Sequence, residues 1–354
     1  MSADDFLADA ATRRQVMVQR VSRGLTSELE GLLEDMREEI IGRISDAGTE
    51  FQRARLGSLL SSVDSIISGK AETISESLRE QIAEFTSDEL DFQKQTLDQV
   101  IDGTTAEPNA DQVLSAVTGE PTSLVQGDQK QSVTIEQMVG VLAGANRKEL
   151  KNVISAGFIA GDTTSQITQR VSQKIRGRSR AQVRAVVQTS LNHAASVARQ
   201  KFAERNKDIL GGEKYVATLD SSTTVTCAGL DGNIYEVGLG PRPPLHYNCR
   251  SLRVAVPRED SVLSGLEGTR PAVGADGVQQ VSSRKTFSGW LGQQPADFKR
   301  EFFGKFQDGD AKYKLFEQGG LDAKDFIDPD GVAMSLQELR EKNPLAWQRA
   351  NIEQ

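Results

Sequence analysis

Residues 215–257 read YVATLDSSTTVTCAGLDGNIYEVGLGPRPPLHYNCRSLRVAVP and hold both cysteines and one of the two histidines of a 354-residue chain. Tyr215–Leu219 and Ser251–Val256 alternate large and small side chains, the pattern of strands with one buried face. Asp231-Gly232, followed by Ile234 and Tyr235, predicts a tight hairpin turn, because glycine accepts a positive φ after an acidic turn residue. In Gly238–Pro244 three prolines fix φ and withhold amide donors, while two glycines let the chain reverse. The loop therefore delivers His246 and Cys249 to a defined place.

Two thiols and an imidazole brought together in this way supply three of the four ligands of a tetrahedral structural zinc, Cys227, His246 and Cys249. Asp231, Asp220, a water or a neighbouring chain would complete it. The same residues also suit two reduced, packed cysteines beside a hydrogen-bonded histidine, a Cys227–Cys249 disulfide, or a cysteine nucleophile at Cys249 with His246 as base. Both aspartates occupy turn positions that aspartate fills for backbone hydrogen bonding alone. No phosphate-binding P-loop, dinucleotide glycine fingerprint, Gly-x-Ser-x-Gly elbow or His-Glu-x-x-His pattern occurs.

The succession Ala217-Thr218-Leu219-Asp220, Cys227, Leu230-Asp231-Gly232, Pro243-Pro244-Leu245-His246 and Asn248-Cys249-Arg250 resembles the phage Mu F-like head morphogenesis, or minor head protein, family. Many members carry a further cysteine where this chain has Thr224. The similarity runs over Lys151–Asn343 and includes Gly289-Trp290-Leu291, Gln294-Pro295 and Gly320-Leu321. It implies a structural virion protein that assembles into the head, contacts the portal protein and other capsid proteins, and influences DNA packaging or ejection. It also implies residence in the virion after assembly in the host cytoplasm, and no enzymatic role. Two other classes stay open, a cysteine- and histidine-dependent enzyme or toxin-like effector, and a nucleic-acid-binding module.

Outward from this centre the chain is helical. Val21, Leu25, Leu29, Leu32, Met36 and Ile40 form one apolar stripe, Leu56 to Ile67 a second, and Ile74 to Phe85 a third. Breaks are expected at Ala47-Gly48 and Ser68-Gly69. Residues 1–102 form an N-terminal bundle or hairpin whose length suits packing against copies of itself or other subunits. Residues 103–132, rich in glycine, proline and small polar residues, read as a linker or arm. The central module spans 133–257, with short helices at Ile135–Leu142, Leu150–Ile159 and Ser165–Val171, and Gly161 and Thr163 as cap and start signals. Residues 258–285 read as a second linker. Residues 286–354 form a small module holding both tryptophans and seven of the thirteen phenylalanines. The fold expected is α+β and predominantly helical.

Charge is unevenly spread. The net charge is −8, but residues 1–102 carry 21 acidic and 11 basic side chains, or −10, leaving +2 for the rest. That balance argues against loose coating of nucleic acid. No Asp or Glu occurs between Asp162 and Glu204, where Arg170, Lys174, Arg176, Arg178, Arg180 and Arg184 cluster. They read either as a surface facing packaged DNA or an acidic portal, or as a solvated face paired with acidic neighbours such as the N-terminal helices. His193, among alanines on the following helix, reads as a hydrogen-bonded structural residue. Two cysteines fit assembly in a reducing compartment, and no apolar run reaches membrane-spanning length.

Overall fold

The computed structural model describes residues 3–47, 53–126, 129–258 and 268–352. Two long helices, α1 (Ala3–Asp46) and α2 (Arg53–Leu97), lead into α3 (Ala110–Gly119) and a hairpin, β1 (Thr122–Gln126) with β2 (Gln129–Val133). Then come α4 (Ile135–Ala160) and α5 (Thr164–Arg205), followed by β3 (Leu210–Val216), β4 (Leu219–Asp220), α6 (Val225–Leu230), β5 (Ile234–Tyr235) and β6 (Leu252–Pro257). A hairpin of β7 (Thr269–Gly274) and β8 (Gly277–Ser282) precedes five short helices: α7 (Phe287–Leu291), α8 (Ala296–Phe303), α9 (Gly309–Glu317), α10 (Leu336–Lys342) and α11 (Pro344–Arg349). The architecture is α+β and predominantly helical, with long helices at the N-terminal end and an aromatic cluster at the other.

Several sequence breaks are absent from the fold. The second and third stripes lie on one uninterrupted α2, since Gly69 has open space around it and propagation of an established helix outweighs a single glycine. The expected break at Gly48 falls outside the described residues. The three short central helices are two long ones. Both begin with a full capping box, Thr134 with Gln137 and Thr163 with Gln166, and left-handed Gly161 ends α4. Residues 103–132 contain a helix and a hairpin instead of a bare linker, because Val113 and Val117 are buried against the bundle. The described part of 258–285 is likewise ordered, with β7 pairing in parallel with β4.

Two cores result. The first gathers Leu25, Leu29 and Ile40 of α1, Val63, Leu78 and Ile82 of α2, and Ile154 and Val187 from α4 and α5. It is almost wholly aliphatic, and α1 and α2 share it with α5, so the N-terminal helices are no free-standing rod. The second joins Tyr215, Leu219 and both cysteines to Phe287, Trp290, Phe302, Phe303 and Phe326. Between them stands the antiparallel sheet β5-β3-β6. Successive side chains of a strand point to opposite faces, so Val216 enters the first core and Tyr215 the second.

Candidate functional site

The cysteine-histidine cluster lies at the edge of the second core. Cys227 sits on α6, a short helix where the sequence suggested one arm of a hairpin. Thr224 caps this helix and its Oγ1 accepts the Cys227 N–H at 3.3 Å. The Asp231-Gly232 turn follows, with Gly232 at φ 86°, and returns the chain to β5. On the other side, the proline loop is braced from three directions. Thr122 Oγ1 donates to the Pro244 carbonyl at 3.1 Å, Val125 N–H donates to the Leu245 carbonyl at 2.7 Å, and Arg242 pairs with Glu213 at 2.7 Å. Gly240, at φ 81°, lies so close against the Tyr235 ring that a Cβ would collide with it. Past the loop, the Cys249 N–H closes a turn onto the His246 carbonyl at 3.1 Å, with Asn248 left-handed at φ 58°. Asn192 of α5 donates to the Cys249 carbonyl, which ties this turn to the bundle.

The ligand atoms of Cys227, His246 and Cys249 all lie within 4.8 Å of one another. Cys227 Sγ is 3.3 Å from His246 Nε2, 3.8 Å from Cys249 Sγ and 3.3 Å from the Tyr215 hydroxyl. His246 Nδ1 lies 2.9 Å from the Tyr247 carbonyl, which can only accept, so Nδ1 carries a proton and Nε2 is the ring atom turned to the sulfurs. Sequence spacing had joined His246 to Cys249, yet the sulfur that His246 hydrogen-bonds is that of Cys227.

Protons are distributed unequally over the cluster. The hydrogen bond from Cys249 and then the contact with His246 pull the Cys227 thiol well below its usual range, against the opposing effect of burial. Cys249 is pushed well above its own, first by its hydrogen bond to Cys227 and then by burial. Burial works to lower His246, but the hydrogen bond and charge of Cys227 prevail and raise it. Burial, followed by the neighbouring sulfurs, keeps the Tyr215 phenol protonated far above its ordinary range. Of the two sulfurs, Cys227 therefore gives up its proton the more readily, while the Cys249 thiol and the Tyr215 hydroxyl hold theirs.

This donor set fits zinc. Two soft sulfurs and an imidazole are its preferred ligands, and the Sγ–Sγ distance of 3.8 Å matches the edge of a tetrahedron with Zn–S bonds of about 2.3 Å. The Nδ1–H···O=C bond is the outer-shell contact that fixes a metal-binding histidine. Asp231 is not part of the site, which corrects the expectation that it supplies the fourth ligand. Its oxygens are already taken by the Arg270 guanidinium at 3.0 and 3.2 Å and by the amides of Ala217 and Phe287, each at 2.7 Å. Asp220 is similarly held by Arg250 at 2.8 Å. The polar groups that do face Cys227 are the hydroxyls of Tyr215 and Ser251. Sequence reading treated both as strand residues, and the available signal was their place as the first residue of each of the two predicted strands.

The basic residues are less concentrated than their spacing suggests. Arg170 pairs with Asp162 at 2.7 Å, Lys174 with Glu149 at 2.7 Å, and Arg180 with Glu30 of α1 at 3.2 Å. Arg184 is exposed and has no ion pair among the described residues, while the side chains of Arg176 and Arg178 lie outside them. His193 is buried, with Nε2 at 3.2 Å from the Val117 carbonyl.

Residues 148–253, which enclose the basic stretch and the whole cysteine-histidine cluster, match the family model described as Phage Mu protein F like protein. This central segment is similar to the Mu F-like family. The match begins within α4 and ends within β6, so it takes in α5, the central sheet and the cluster but neither the N-terminal helices nor the aromatic module. It supports a phage head-related, structural protein. No curated protein and no solved structure matches the chain. Among the described residues, no helix is long and apolar enough to cross a membrane.

Proposed function

We propose that the protein is a structural minor head protein of a tailed bacteriophage, associated with the portal and with other capsid proteins, and present in the particle in more than one copy. The observation that carries this reading is the family match over 148–253, which takes in the proline loop and the whole cysteine-histidine cluster. A catalytic cysteine is disfavoured by burial, since Cys227 and Cys249 are 1% and 0% exposed. Recovery of the chain in purified particles, and its co-purification with the cognate portal protein, is expected. Particles that form normally and lack it would sink the proposal.

In this reading Cys227, His246 and Cys249 hold a structural zinc, which would bridge α6 to the proline loop and supply cross-linking that a small β unit lacks. Tyr215, Ser251 or a water stands nearest for the fourth position. Metal bound in this way contributes directly to folding. Protein purified without a polyhistidine tag should contain about one equivalent of zinc and lose thermal stability on chelation, and Cys227→Ser should abolish both effects. A metal-free protein whose melting is indifferent to chelator leaves the cluster as packed cysteines beside a hydrogen-bonded histidine.

A further inference from the structure

Beside the metal candidate lies a cleft of about 770 Å³ between α1, α5 and the loop carrying His246. Arg23 comes from α1, Arg180 and Arg184 from α5, and Arg250 from the segment after Cys249, and no carboxylate belongs to the lining. In a chain of net charge −8, four guanidiniums from three separate parts of the fold converge on one concavity. Arg23 and Arg184 have no ion pair among the described residues, whereas Arg180 pairs with Glu30 and the Arg250 fork is taken by Asp220. An independent sign comes from the cleft wall. Gln188 is only 5% exposed, and its side-chain amide nitrogen has no hydrogen-bond partner among the described residues. A buried donor left unmatched beside a basic cleft calls for an acceptor from outside the chain.

We propose that this cleft binds phosphate, taking the oxygens of a phosphodiester backbone on Arg23 and Arg184 with Gln188 as a neutral donor. Guanidinium forks match phosphate oxygens in pairs, and the side chains here are donors or neutral hydroxyls and amides. The cleft is far larger than one phosphate ion and its arginines lie on different walls, which favours a chain of phosphates over a free anion. The assignment concerns cleft residues, of which only Arg180 and Arg184 belong to the basic stretch. It rests on the head-protein reading for its biological setting and deepens it by supplying a place where packaged DNA touches the protein.

The test uses the purified full-length protein, a short DNA duplex and inorganic phosphate as probes. Arg23→Gln/Arg184→Gln should weaken duplex binding by roughly tenfold or more at low salt and flatten the dependence of log affinity on log salt by about 0.9 for each phosphate no longer neutralised. Arg170→Gln/Lys174→Gln, outside the cleft, should leave both unchanged, and Arg23→Lys/Arg184→Lys should retain the salt slope while binding more weakly than the parent. Gln188→Leu, folded by circular dichroism, should also weaken binding. Unchanged duplex affinity and slope in the double glutamine variant overturns the proposal. So does binding of inorganic phosphate that disappears in that variant while duplex binding persists, because the site then serves a free anion. Neither result bears on whether the protein is found in particles, so the head-protein reading stands or falls separately.

Discussion

Each of the two cores buries a carboxylate against arginine, and they satisfy it in different ways. In the helical core Glu89 of α2 is fully buried between Arg14 of α1 at 2.9 Å and Arg199 of α5 at 2.7 Å, with Arg14 lying over the rings of Phe85 and Phe92. One nitrogen of each arginine is left without a partner among the described residues. In the aromatic core Asp231 takes the fork of Arg270 and two backbone amides, and Arg270 also donates to the Ala217 and Lys285 carbonyls. The difference follows from the backbone. Helices consume their own amides, so a charge among them can be met only by side chains, whereas turns and strand ends leave amides free for a carboxylate to collect. Glu89 therefore sets the mutual register of three helices, and Asp231 fixes the turn behind the cysteine-histidine cluster.

The sharpest way to break this comparison is at Glu89. Glu89→Ala strands two buried guanidiniums at once and should cost about 3–5 kcal/mol, read from chemical denaturation. A loss below about 1 kcal/mol, within the range of exposed pairs, would show that the arginines reach solvent and that the cluster sets no register. Asp231→Asn keeps the shape and one acceptor while removing the charge facing Arg270, so about 1–3 kcal/mol is expected. Its second effect separates the two cores. Displacement of the turn should disturb the cysteine-histidine cluster and lower the melting gain from zinc, which Glu89→Ala should leave intact. Equal effects of both variants on the zinc response would mean that the cores are not separable.

The same contrast explains what could be read from residues alone. The stripes of α1 and α2 were legible because each long helix buries one face, and a period near 3.6 survives a glycine such as Gly69. The cysteine-histidine cluster was legible because rare, chemically distinctive residues sit beside glycines and prolines that fix the loop. Asp231 was misassigned, since its turn position was visible but Arg270, 39 residues away, was not. The pairing of Glu89 with Arg14 and Arg199 joins residues 75 and 110 positions apart, and no local pattern reports it. Residues 103–132 read as a linker because Val113 and Val117 form too short a stripe to reveal that a bundle covers them.

The smallest effect expected is electrostatic and again sets the cores against each other, through the only two histidines of the chain. Burial lowers His193 in the helical core, opposed by its hydrogen bond to Val117. The unfolded chain then binds the proton more readily than the folded one, so the stability supplied by neutral His193 is present above its unfolded pKa of about 6.5 and is lost as pH falls through the folded value. His246 is raised in the metal-free protein. Its contribution has the opposite sign, fully present below about 6.5 and lost as pH rises through the folded value. Each slope is limited to one proton, about 1.4 kcal/mol per pH unit. Unfolding free energies measured between about pH 7 and pH 5, the interval that brackets the ordinary histidine pKa, should therefore show His193→Gln gaining on the parent protein as the solution is acidified. Metal-free His246→Gln should fall further behind. Parallel curves for parent and His193→Gln would mean that His193 takes up its proton without opening the helical core, and the contrast between the two histidines would then rest on His246 alone.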